Sequence, residues 1–234
     1  MMKMKKLLCI ALAAIMVFAL AACGSTTQPS ENGDPPSAPA SDPAASAEPS
    51  ENAEVEAQYV VGICQQMTHD ALDQATQGFK DALNEILGEG VVKFEEGNAG
   101  GEQNNCTTII DGFVSEGVDL ILANATWPLQ AAASATADIP ILGTSVTDYA
   151  TALNIDNWTG TVGGNISGTS DLAPLDQQAA MIQELFPDAT NVGLLYCSGE
   201  PNSVYQIETI TGYLEEMGST CTPSAFTDVN DLSS

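Results

Sequence analysis

Arginine is absent from this 234-residue sequence and lysine is scarce: five cationic residues face 31 aspartates and glutamates, for a formal net charge of −26. A nucleic-acid binder must neutralise phosphates with clustered cationic side chains, so that class is excluded. Anionic membrane surfaces, polyanions and nucleotides are poor partners too, unless backbone amides build the site. Histidine occurs once, at His69, with no Gly-x-Ser-x-Gly to pair with it, so no nucleophile and base are in view. The P-loop, the nicotinamide fingerprint and the HExxH zinc motif are missing as well, which argues against an enzyme and implies no cofactor. Six cysteines include no CxxC spacing, so a metal cluster is not expected.

Three of the five lysines, Lys3, Lys5 and Lys6, open the chain, and residues 1–22 contain no acid. Behind them an apolar run from Leu7 to Leu20 ends in Ala21, Ala22 and Cys23. A basic start, a short apolar run and small residues read as a secretory signal peptide, and the run falls short of the roughly 20 residues a spanning helix needs. Leu20-Ala21-Ala22-Cys23 also resembles the bacterial lipobox, in which the cysteine is lipidated and becomes the new N-terminus. Residues 1–22 are therefore expected to be a leader, Cys23 a membrane anchor through its lipid, and the body extracytoplasmic. Residues 23–57 hold six of the twelve prolines, with many Ser and Ala and no aromatic residue. Such a segment buries too little apolar area to offset its ordering entropy and reads as a tether.

From Gln58 onward β-rich apolar runs alternate with helical patterns. Strands are expected at Tyr59–Cys64, Val91–Phe94, Val118–Ala123 and Ile139–Gly143. Between them, Ala71, Leu72, Ala75, Phe79, Ala82, Leu83 and Ile86 recur at helical spacing, as do Ile109, Ile110, Phe113 and Val114. A third helix is expected over Pro128–Ala135. The order is that of an α/β parallel sheet covered by helices. After a Gly-, Asn- and Thr-rich stretch, Asn154–Gly168, the rhythm restarts: helix Leu175–Phe186, strand Val192–Tyr196, helix Ser203–Met217 and a weak strand Cys221–Phe226, with Thr227–Ser234 resembling the start of another helix. The reading is two α/β lobes, 58–171 and 172–234. Two strands are too few for an open sheet of its own, so the second lobe is expected to be incomplete and the chain truncated.

In open parallel sheets a ligand sits at the carboxyl ends of the strands, beside helix N-termini, and two lobes can close on it by a hinge. The expected strand ends are rich in small polar groups. With Lys80 and Lys93 away from them, a ligand carboxylate must be held by backbone amides and hydroxyls, and Thr126, before Trp127-Pro128, is placed for that. Asp148 and Asp171 are natural partners for an ammonium group, so the set would read a zwitterion. Either aspartate could instead be a turn residue, and His69 could simply cap the first helix. Cys64, Cys106, Cys197 and Cys221 read as buried thiols, with one disulfide open in this compartment.

Gly62-Ile63 with Gln65, His69-Asp70-Ala71-Leu72-Asp73, Val118-Asp119-Leu120-Ile121, Ala125-Thr126 with Gln130-Ala131-Ala132, Asp138-Ile139-Pro140-Ile141, Thr147-Asp148, Gly164-Asn165-Ile166-Ser167-Gly168-Thr169-Ser170-Asp171 and Leu194-Leu195-Tyr196 with Asn202-Ser203 resemble the ABC transporter substrate-binding lipoproteins of the tryptophan/tyrosine type. The resemblance runs from about Tyr59 to the last residue. It implies the two-lobe periplasmic-binding fold of type I, capture of an amino acid, aromatic in some members, and delivery to an ABC permease and its ATPase. Residue by residue it implies ligand contacts at Gln66, His69, Thr126, Thr147, Asp148, Ser170, Asp171, Ser198, Asn202 and Ser203. Asp70 stands where the family commonly has proline, and Trp127 replaces a small residue, either to stack on an aromatic ligand or to fill the pocket. The alternatives are a ligand such as a nucleoside, sugar or small amide, a sugar site being one that should tolerate Asp171→Asn, or a sensor without a transporter.

Overall fold

Alternation along the first strand decides which way the sheet is dressed. In β1 (Tyr59–Gln65), Val61 and Ile63 point to one face and Gly62 and Cys64 to the other. The computed structural model describes residues 57–227. The expected leader, the Cys23 anchor, nearly all of the tether and the helix expected after Thr227 lie outside the described residues.

The elements that follow are α1 (Asp70–Leu87), β2 (Val92–Asn98), α2 (Gln103–Glu116), β3 (Leu120–Asn124), α3 (Thr126–Ala135), β4 (Ile141–Val146), α4 (Tyr149–Leu153) and β5 (Ile166–Ser170). The five strands form one all-parallel sheet in the order β2-β1-β3-β4-β5. On one face Val61, Ile63, Val92 and Leu122 pack with Phe79 and Leu83 of α1. On the other, Cys64, Ile121, Ala123 and Ile141 pack with Ile110 and Phe113 of α2, Leu129 of α3 and Tyr149 of α4. Burying such side chains stabilises by about 1.5–3 kcal/mol each, so the sandwich is held from both faces.

Two helix ends follow from single glycines. Gly88 and Gly117 take positive φ, where a side chain would clash, and their N–H groups return to carbonyls of the last turn.

A second sheet follows: α5 (Leu175–Leu185), β6 (Asn191–Cys197), α6 (Pro201–Glu216) and β7 (Thr220–Phe226), with β6 and β7 parallel. Ala179, Leu194 and Leu214 form its core with Ile182, Val192, Ile207 and Ile210. Its other face carries Leu195, 62 % exposed, so among the described residues this sheet is covered on one side. The described residues group as one compact unit, and α4 packs against α6. Among the described residues no helix is long and apolar enough to cross a membrane.

Two elements depart from the sequence reading. The stretch expected to be irregular, Asn154–Gly168, ends in β5, and α4 precedes it. Between Gly143 and Val146 the β4–β5 register slips, three steps on β4 matching two on β5, with Ser145 at φ 54°. This one-residue bulge bends the end of β4 and presents Thr147 and Asp148 at its mouth.

Candidate functional site

The chain leaves β1 toward β2 on one side, whereas β3 and β4 continue on the other. Loops departing in opposite directions open a crevice between the carboxyl ends of β1 and β3, where ligands of doubly wound sheets bind. Buried polarity is concentrated there: Gln65, Gln66, Asn124, Thr126 and Thr147 are each at most 8 % exposed and lie at or just past the ends of β1, β3 and β4. Polar groups in such positions are as a rule hydrogen-bonded, and the frame beneath the crevice is built that way except at Asn124 Oδ1, which is buried without a hydrogen-bond partner. Asn124 Nδ2 donates to Leu72 O (2.8 Å) and Thr76 Oγ1 (3.0 Å), and Thr76 donates to Gln65 Oε1 (2.7 Å). Gln65 Nε2 donates to Asp73 Oδ1 (2.5 Å), which ties α1 to the ends of β1 and β3.

Above this frame lies Gln66. Its backbone N–H donates to Asn124 O (3.2 Å), its Oε1 accepts the N–H of Trp127 in the first turn of α3 (3.3 Å), and its Nε2 donates to Glu200 Oε1 across to the second sheet (3.1 Å). Glu200 occupies the N-cap position of α6, and its other oxygen accepts from Ser203 Oγ (3.0 Å). Thr126, 4 % exposed, opens α3 behind Ala125, whose φ of 101° and ψ of 177° are strained for a non-glycine residue. Such strain recurs at binding sites.

Ser170 Oγ donates to Thr147 O (2.8 Å) and the Asp171 N–H to Val146 O (3.1 Å), which unites Thr147, Asp148, Ser170 and Asp171 at the ends of β4 and β5. Asp148 Oδ1 accepts the Thr151 N–H (2.7 Å) and caps α4, whereas Asp171 is exposed. Beneath them Tyr149 donates its hydroxyl to Thr169 O (3.1 Å), and burial, with the nearby Asp171 charge, pushes its phenol up to about 12. His69 is the N-cap of α1, its Nδ1 accepting the Ala71 N–H (3.2 Å). Ser198 turns its N–H and hydroxyl to Phe226 O, and Asn202 lies in the first turn of α6.

The structure thus joins Gln66 and Ser203 through Glu200, and groups Thr147, Asp148, Ser170 and Asp171. His69 uses Nδ1 to cap α1, and Ser198 bonds to the end of β7. Trp127 packs on the core and lines the groove between α2 and α3 with Gln103, Thr107 and Asp111. Sequence reasoning missed Glu200; Pro201 marks a helix start, but a glutamate before it is no cap signal, and Glu200 makes no side-chain cap bond.

Both body lysines are engaged elsewhere, Lys80 with Glu96 and Lys93 with Glu95, each at 2.5 Å. Cys64 and Cys106 are buried free thiols that hydrogen-bond to each other, and this bond and burial push the Cys64 thiol up. Cys197 and Cys221 are half-buried free thiols. Among the described residues no group of three or more His, Cys, Asp or Glu could hold a metal ion.

The family model described as "ABC transporter substrate binding protein" matches residues 60–234. A curated relative, the tyrosine-binding protein of Clostridioides difficile strain R20291, is 35% identical over 158 residues, which cover 67% of this chain and 46% of that protein. Among solved structures, an ABC domain from Streptococcus pneumonia in complex with L-Trp is 34% identical with a TM-score of 0.69, covering 76% of this chain and 59% of that one. A conserved domain protein from Vibrio cholerae is 30% identical with a TM-score of 0.70, covering 75% and 60%. The chain therefore spans about half the length of the curated relative and about 60% of these solved chains. These likenesses bear out the type I periplasmic-binding fold expected from the sequence.

Proposed function

The chain belongs to the ABC transporter substrate binding protein family, and from that premise we propose that it is an extracytoplasmic solute-binding lipoprotein of an ABC importer. It captures an amino acid, in the first instance an aromatic one, at the carboxyl ends of β1, β3, β4 and β5 and passes it to a permease driven by an ATPase. The lipid on Cys23 and the tether hold the body at the outer face of the membrane. The chain binds and releases without chemistry.

The observation that carries this reading is the concentration of buried polar groups at the β1–β3 crevice, facing the start of α6. The absence of arginine and the engagement of both body lysines leave a ligand carboxylate to hydroxyls and amides, for which Thr126 and the first turn of α3 are suited. Carboxylates at Asp148, Asp171 and Glu200 supply the partner for an ammonium. Thr147, Ser170, Ser198, Asn202, Ser203 and His69 ring the same strand ends and complete the polar lining. The printed ligands of the relatives, tyrosine and L-Trp, support the aromatic choice.

A thermal-shift screen of the full chain against the twenty amino acids, sugars and nucleosides tests the reading. A ligand at 100 times its Kd stabilises by about 2.7 kcal/mol, which raises the Tm of a chain this size by several degrees. Stabilisation by tryptophan, tyrosine or phenylalanine is the expected outcome. A shift with sugars or nucleosides only, or with nothing, contradicts it.

A further inference from the structure

Among the described residues, Glu200 carries a charge with no cation opposite it. One oxygen accepts from the Ser203 hydroxyl and the other from the Gln66 amide, both neutral donors, and the two body lysines pair with Glu96 and Glu95. Asp148 is committed to the cap of α4, and Asp171 is exposed to solvent. A half-buried carboxylate held by neutral groups is electrostatically suited to an ammonium ion.

The Gln66 side chain sits between Glu200 and α3 in an informative way. Its carbonyl oxygen accepts the Trp127 N–H while its NH2 group donates to Glu200. An α-amino acid offers the same two functions, an acceptor carboxylate and a donor ammonium, one bond further apart. Gln66 is 7 % exposed, so its amide fills this place instead of reaching solvent. Beside it, Gly199 and Pro201, the neighbours of Glu200, line a cavity of about 390 Å³ with Val204, Tyr205 and Gln130, large enough for an aromatic side chain.

We infer that the Gln66 amide is an internal stand-in for the ligand's head group, that the amino acid enters by displacing it, and that Glu200 is the carboxylate that receives the ammonium. The inference rests on the amino-acid reading above and assigns roles within the same site. Gln66 then opposes binding: its two hydrogen bonds must break before the ligand's can form, which lowers the apparent affinity by the fraction of chains in which the place is free.

Calorimetric titration of the full chain with L-tryptophan and with indole-3-propionate, which lacks the ammonium, tests this. Glu200→Gln is expected to weaken L-tryptophan about 100-fold, the size of a lost hydrogen bond to a charged group, and to leave indole-3-propionate within threefold. Gln66→Ala is expected to bind L-tryptophan as tightly as the parent or up to about tenfold more tightly. Thermal melts of each variant establish that it is folded, and the Gln66 and Glu200 variants answer independently. A tenfold or greater loss in Gln66→Ala overturns the stand-in role, and unchanged L-tryptophan binding in Glu200→Gln overturns the ammonium assignment. If the parent binds no amino acid, the functional reading fails and this inference falls with it.

Discussion

Tyr149 couples the site to stability at high pH. Burial raises its phenol from an ordinary value near 10 to about 12, so the folded chain retains the proton after the unfolded chain has lost it. The stabilisation is complete below pH 10 and is lost as the pH climbs from 10 through 12, by about 3 kcal/mol in all. Absorbance titration at 295 nm is expected to show one of the five tyrosines ionising about two units late. Tyr149→Phe should remove that late step and flatten the fall in urea midpoint between pH 9 and 11.5; an unchanged slope in the variant contradicts the assignment. Ala125 makes a second prediction at this scale. Its backbone conformation is one that glycine adopts freely. Ala125→Gly should hold stability within about 1 kcal/mol of the parent, because relief of strain offsets the entropy of glycine. Ala125→Val should cost about 2–3 kcal/mol, since a β-branched residue is poorly accommodated at positive φ. Equal losses in the two variants would contradict a strained backbone. The small polar residues at the strand ends were legible by residue type, and the structure brings Thr147, Asp148, Ser170 and Asp171 together there. The capping bonds of His69 and Asp148 were less so, since capping and ligand binding draw on the same residue types.

At the scale of elements, β5 shows what pattern reading misses. Ile-Ser-Gly-Thr-Ser contains a single apolar residue, and four of its five positions are exposed. It is a strand because tertiary packing makes it one: Gly168 lies so close to Gly143 and Tyr149 that a Cβ there would overlap the Gly143 carbonyl oxygen and the Tyr149 hydroxyl. Gly168→Ala is therefore expected to lower stability by about 3 kcal/mol in urea unfolding and to weaken ligand binding, because β5 carries Ser170 and leads into Asp171. A loss below 1 kcal/mol would mean that β5 adjusts freely and does not fix the site. The strands rich in Val, Ile and Leu were legible from sequence, as were α1 and α2, whose apolar stripes recur at helical spacing. Helix α4 spans five residues, too few for any periodicity to show. Helix α3 begins at Thr126, two residues before the expected Pro128, because a proline in the first turn surrenders no helical hydrogen bond. That shift matters, since the Trp127 N–H that meets Gln66 belongs to this early turn.

For the molecule as a whole, an all-parallel sheet sets the crevice and a second sheet brings Glu200 to it. The two-sheet plan was legible because strands and helices alternate in sequence. The link between the sheets was not, because a bond spanning 134 positions leaves no local trace. The central claim is that an amino acid binds across the β1 and β3 ends against the start of α6. A crystal structure of the full chain grown with L-tryptophan tests this most directly. The account predicts the ligand carboxylate within hydrogen-bond distance of the Trp127 N–H, its ammonium on Glu200, and Gln66 turned away. Tryptophan bound instead in the groove between α2 and α3, or no bound tryptophan at saturating concentration, would contradict it.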